Sequence, residues 1–227
     1  MGLIQRFKEW REKRNEKWHI IDNMHELPIG KYLEIIEIGK REGDDIDKST
    51  AVLQVLTGWS VGDIENLSLA EYSALASGCG WLYEPPKPVA VAKEYRCGDY
   101  TLRPTSADKL TTAQYIDFQA FVQDTDRYIV ELLSVLLVPV GKRYGEGYDM
   151  AKVQEWIRRT LPADSAISLV AFFLHNANEL MRDTLLSSEE AIRNAPAKTE
   201  EQKETKRKAM EIVDIIKNGV GKKTSKS

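Results

Sequence analysis

Apolar residues recur along this chain at two different periods. Through "LPIGKYLEIIEIGKR", Ile29, Leu33 and Ile36 fall at helical spacing, with Pro28 near the first turn and Gly43 as the break. "DIDKSTAVLQVLTG" continues the pattern with Val52, Leu53, Val55 and Leu56, and Gly58 stands where a C-terminal cap is needed. "SVGDIENLSLAEYSALASGCGWL" predicts a short helix and then a longer one. Ser60 and Ser68 are the N-caps, and Glu71 completes a capping box with Ser68. At "KEYRCGDYTLRP" the period drops to two. Tyr95, Cys97, Tyr100 and Leu102 alternate with polar residues around Gly98-Asp99, the signal of a β-hairpin.

The helical period then returns. In "KLTTAQYIDFQAFVQ", Thr111 is placed to accept from a free backbone N–H of a first turn, and Gln114 to reach back to the Thr111 amide. Leu110 and Tyr115 bracket the cap as a hydrophobic staple. The helix carries Ile116, Phe118, Gln119, Ala120 and Phe121 and is expected to pack under the hairpin. Residues 126–138 form the most apolar helix, ended by Pro139. "VGKRYGEGYD" reads as a mobile Gly- and Tyr-rich loop. Asp149 caps a helix with Val153, Trp156 and Ile157 facing inward, and Pro162 starts another. Breaks are expected at Ser187, Ser188 and Pro196. Residues 199–217 predict a charged helix with a narrow stripe of Met210, Val213 and Ile216, before a flexible basic tail, 218–227.

These elements predict a mainly α, helical bundle-like protein with one small β-hairpin near residues 93–104. Pro85, Pro86 and Pro88 forbid helix and favour extended chain, so 83–92 reads as a linker. The expected organisation is a basic amphipathic helix (1–20), a helical domain (21–82), the linker, a hairpin plus helical domain (93–197), and a charged helix with its tail (198–227).

Charge is distributed unevenly. Leu3, Phe7 and Trp10 share one face of the first predicted helix. Between residues 6 and 17 stand six Lys or Arg and three Glu. Residues 22–71 hold eleven Asp or Glu against Lys31, Lys40, Arg41 and Lys48. The N-terminal segment can fold back on this acidic block or reach a separate acidic partner. Leu3, Phe7 and Trp10 are the candidate partner-binding residues, because exposed Phe and Trp on a basic helix are costly to solubility unless used.

Over all 227 residues the net charge is -3, which gives no electrostatic case for nucleic acid. No run approaches the roughly 18 apolar residues of a membrane span. Two cysteines, Cys79 and Cys97, without metal-like spacing argue against a disulfide scaffold and for a reducing cytosol. Chemistry is thinly supported. Glu16 and His19 are half of a di-iron carboxylate pattern, and neither His25 nor His175 supplies the other half. His175 and Glu179, one turn apart, read as a core-edge pair. Cys79 lacks a neighbouring base, and "GKRYGEG" lacks the phosphate-loop arrangement. No catalytic residue, metal ligand or cofactor is expected.

Four segments together resemble the tail assembly chaperones of tailed bacteriophages. They are "LPIGKYLEI", "VLQVLTGWSVGDIENLSLAEYSAL", "EYRCGDYTLRP" running into "KLTTAQYIDFQ", and "LLVPVGKRYGEGYDMAKVQEWI". The similarity spans about residues 25–175. It implies a non-enzymatic protein of the infected host's cytoplasm. Such a protein binds the long, apolar, helical tape-measure protein until the tail tube forms around it. The uncovered ends leave room for an alternative, a virion structural or internal cargo protein bound to other tail components. Self-association stays open.

Overall fold

The computed structural model describes residues 20–196 and 199–223. The predicted basic N-terminal helix, with Leu3, Phe7, Trp10 and His19, lies outside the described residues. The described chain is mainly α, with one small antiparallel sheet.

Two compact units divide it. The first holds the described residues up to Thr105 together with Leu110–Ala171. The second holds Ser106–Lys109 and the described residues from Phe172 onward. Both flanks of the Pro-rich stretch therefore lie in the same unit, and the contacts set the division well beyond residues 83–92.

The first unit begins with α1 (Ile29–Lys40), α2 (Asp45–Thr57), α3 (Val61–Glu65) and α4 (Leu69–Gly78), then a 3-10 turn, Gly80–Tyr83. Their ends follow the sequence signals. The Asp44 carboxylate accepts from the Ile46 amide, and Gly58 closes α2 in the left-handed conformation at φ 72. Ser60 with Asp63, and Ser68 with Glu71, form reciprocal capping boxes. α1 turns Ile29 and Ile38 fully inward; Leu33 and Ile36 are only half-buried. Leu27, Leu53, Leu56, Trp59, Ile64 and Leu75 form the cluster beneath these helices, and Ile21 joins it.

Strands β1 (Tyr95–Cys97) and β2 (Tyr100–Pro104) make the expected hairpin, with Cys97 opposite Tyr100 and Gly98 at φ 55 in the turn. A third strand was not foreseen. The apolar helix α6 (Thr125–Leu136) stops short of Pro139, and β3 (Leu137–Pro139) pairs with β2, Leu102 opposite Pro139. Pro139 is tolerated because β3 is an edge strand.

Helix α5 (Thr112–Phe121) starts at the reciprocal capping box of Thr111 and Gln114. It packs on α6, where packing under the hairpin was expected, and Ile116 is 62% exposed. Gln114 is itself buried, and its amide Nε2 donates to the Val135 carbonyl of α6 at 3.0 Å. The cap residue thus also ties two helices together. Thr111→Ala should cost about 1 kcal/mol. Gln114→Ala should cost more, because it also leaves the buried Val135 carbonyl without its donor, a loss of about 1–3 kcal/mol. Urea midpoints for the two variants check the order.

Helix α7 (Met150–Thr160) is capped by Asp149 and buries Val153 and Ile157, while Trp156 sits half-buried, edge-on to Tyr95 at 6.5 Å. It packs against α1 and α6. Helix α8 (Ala163–Asn194) follows Pro162. A short backbone bridge joins the entrances of α1 and α8. The Ile29 amide donates to Leu161 O at 2.8 Å and the Ala163 amide to Leu27 O at 2.7 Å.

In the second unit, α8 runs unbroken past Ser187 and Ser188 to Asn194. Helix α9 (Glu200–Lys223) continues beyond residue 217, so residues 218–223 are helical where a tail was expected. Lys206 Nζ donates to the Arg193 and Ala195 carbonyls, at 2.6 and 3.0 Å, and closes the end of α8. Val213 is buried, and Arg207 bridges Glu204 and Glu211 along α9.

Candidate partner-binding groove

Residues that read as core spacing in α1 and α2 leave one side uncovered. On α2, Asp45, Lys48, Ser49, Val52 and Leu53 recur at three- and four-residue steps, so they form one stripe. Ile35, Ile38 and Gly39 on α1 face that stripe, and Cys79, Leu82 and Tyr83 close the far side. Together they line a groove of about 550 Å³. Its floor belongs to the N-terminal core: Leu53 and Cys79 are buried there, and Ile35, Val52 and Leu82 pack on them. Gly39 leaves the wall open, since a Cβ there would meet nothing within 4 Å. Tyr83 stands at the rim 91% exposed. Asp45 and Lys48 supply the charge.

The lining of this cleft is mostly apolar, with Asp45, Lys48 and Ser49 along one wall and Cys79 on the other. Burial pushes the Cys79 thiol up to about 11, and the thiol donates to the Leu75 carbonyl at 3.4 Å. A thiol held protonated is a poor nucleophile. His175 lies in the second unit and meets Glu179 at 3.5 Å with both side chains mostly exposed. It is a surface pair where a core-edge pair was expected. His25, also exposed, is 3.3 Å from the buried carboxylate of Asp164. Among the described residues no group of three or more His, Cys, Asp or Glu could hold a metal ion, and no helix is long and apolar enough to cross a membrane.

A second cleft, of about 560 Å³, lies where α1 meets α7, beside Lys31, Glu34, Glu37 and Arg158. Lys31 Nζ is committed there to the Val55 carbonyl at 2.9 Å. The Gly- and Tyr-rich loop contacts α5 and β2. Tyr144 donates to Asp117 Oδ2 at 2.7 Å, and Tyr148 packs edge-on to Tyr100. Sequence reasoning missed both clefts, because each depends on which helices meet.

Burial, and then the Asp117 carboxylate, push the Tyr144 phenol well above the ordinary tyrosine range. The unfolded chain therefore loses this proton first as pH rises. The contribution to stability is complete below about pH 10 and declines above it. Tyr144→Phe should lower the urea midpoint at pH 7 and narrow its gap to wild type at pH 11. An equal gap at both would show that Tyr144 does not carry the linkage.

Comparison with protein-family models, curated protein sequences and solved structures finds no match to this chain.

Proposed function

We propose that this protein is a tail assembly chaperone of a tailed bacteriophage, acting in the host cytoplasm, and that the groove between α1, α2 and Tyr83 receives an apolar helical stripe of the tape-measure protein. The groove is the observation that carries the reading. Its α2 wall and its Cys79 side flank "VLQVLTGWSVGDIENLSLAEYSAL", the longest segment of the resemblance. An unassembled helix with an exposed apolar stripe aggregates; a partner with a matching apolar groove and a polar exterior prevents it. The role is non-catalytic and takes no cofactor.

Co-expression with the tape-measure protein tests this. The soluble fraction of that protein should rise with wild type and fall back when the groove is filled by Gly39→Phe. A soluble fraction indifferent to both would overturn the reading. Mass spectrometry of mature particles addresses the alternative. A chaperone should be scarce there, whereas a structural or cargo protein should be stoichiometric.

A further inference from the structure

We infer that residues 84–88, Glu84-Pro85-Pro86-Lys87-Pro88, are a preformed polyproline II ligand whose outward edge docks into the aromatic-lined groove of a separate protein. The stretch reads as a linker, yet it separates no units, because both its flanks lie in the first one. Its conformation is fixed locally. Each proline holds its own φ at about -65°. Glu84, Pro85 and Lys87 each precede a proline, which confines them to extended backbone. Glu84 has φ -80 and ψ 139, which are polyproline II values.

Burial along this strap follows the three-residue turn of that helix. Pro86 and Val89 are half-buried, whereas Pro85, Lys87, Pro88 and Ala90 are exposed. The Val89 amide donates to Ser168 Oγ of α8 at 3.0 Å, which pins the inner edge. Beyond it, the Ala92 amide donates to the Tyr95 hydroxyl, and Glu94 pairs with Arg103 of β2. Pro85 and Pro88 therefore stand together on an outer edge, about 9 Å apart at the standard rise. A segment held in this way has little conformational freedom left to lose on binding.

The chemistry of the edge defines its partner. Proline offers a ring and no N–H. Among the described residues, no hydrogen bond uses the carbonyls of Pro85, Pro86, Lys87 or Pro88. Such an edge suits flat aromatic walls for the two rings, with tryptophan or tyrosine donors for the carbonyls. That is the groove by which segments with prolines three apart are read. Glu84 and Lys87 share the adjacent edge, acid before base, and a rim of the opposite charges fixes the direction of docking.

This docking does not depend on the function proposed above. Full-length protein titrated into isolated, isotope-labelled SH3 and WW domains tests it, since their aromatic grooves read such segments. Magnetic resonance shifts should be confined to the aromatic groove of at least one domain. Pro85→Ala combined with Pro88→Ala should weaken that binding about tenfold or more. Both side chains are exposed, so the double variant should keep the circular dichroism spectrum of wild type. Pro86→Ala, on the inner edge, should leave the affinity within about twofold. Groove shifts with no domain, equal binding by the double variant, or a larger loss in Pro86→Ala would each overturn the inference. Unfolding of the double variant would also overturn it, by showing those prolines to be packed.

Discussion

Gly30→Val is expected to destabilise the protein by about 3 kcal/mol, near the upper end of what overpacking usually costs. Gly30 is in the first turn of α1, where that helix meets α7. A Cβ added there would lie 2.5 Å from the Arg158 carbonyl oxygen and 2.6 Å from Arg158 Cγ. The side-chain atom can move away. The carbonyl cannot, because it belongs to the backbone of α7, and α7 buries Val153 and Ile157 completely. Relief therefore requires the two helices to separate and opens their shared core. Gly39, one helix surface away in the same α1, is the contrast. Nothing lies within 4 Å of its added Cβ, so Gly39→Ala should stabilise by about 0.5–1 kcal/mol through helix propensity. Opposite signs for two glycines of one helix, read from denaturation midpoints, would locate the close approach. A Gly30→Val midpoint equal to wild type would show that the helices do not meet as described.

On the function proposed above, Val52→Glu should weaken binding of the tape-measure protein about a hundredfold, roughly 3 kcal/mol, while leaving the fold largely intact. Val52 is half-buried on the groove wall, so a carboxylate there reaches water in the free protein. A docked apolar helix would seal that carboxylate without a partner, and an unpaired charge under an apolar contact is strongly disfavoured. Titration calorimetry gives the affinity and a thermal melt gives the stability. Unchanged affinity with an unchanged melt would place the client elsewhere.

What the sequence made legible was local. Ser60, Ser68, Thr111 and Asp149 each bond to an amide within three residues, so their caps could be read from spacing alone. The hairpin was legible because alternation and Gly98 sit within one short stretch. Strand β3 was not, because Leu137–Pro139 continues an apolar run and becomes a strand only through β2, far back in the sequence. Ile116 looked like a core residue at helical spacing, yet α5 turns Gln114 and Phe118 inward and leaves it in water. Nothing in the sequence singles out Gly30, and its use appears only when α7 is alongside. The groove was hidden for the same reason. Its residues were legible as apolar stripes, but which stripes remain uncovered is decided by the helices around them.

The bridge between the entrances of α1 and α8 sets an order of events during synthesis. His25 and Asp164, which flank it, are 139 positions apart. At roughly 5–20 residues per second, the ribosome needs on the order of ten seconds to make the second half after the first. For that interval α1 has neither Leu161 nor α7 to rest against, whereas the cluster around Leu53 and Leu56 needs only residues up to Leu82. The nascent chain should therefore gather its first helices early, with α1 resting on the cluster through Tyr32 and Ile35, and cover the α7 side of α1 late. Ribosome-bound chains stalled before residue 150 should be cut by protease within Ile29–Lys40 far more readily than the finished protein.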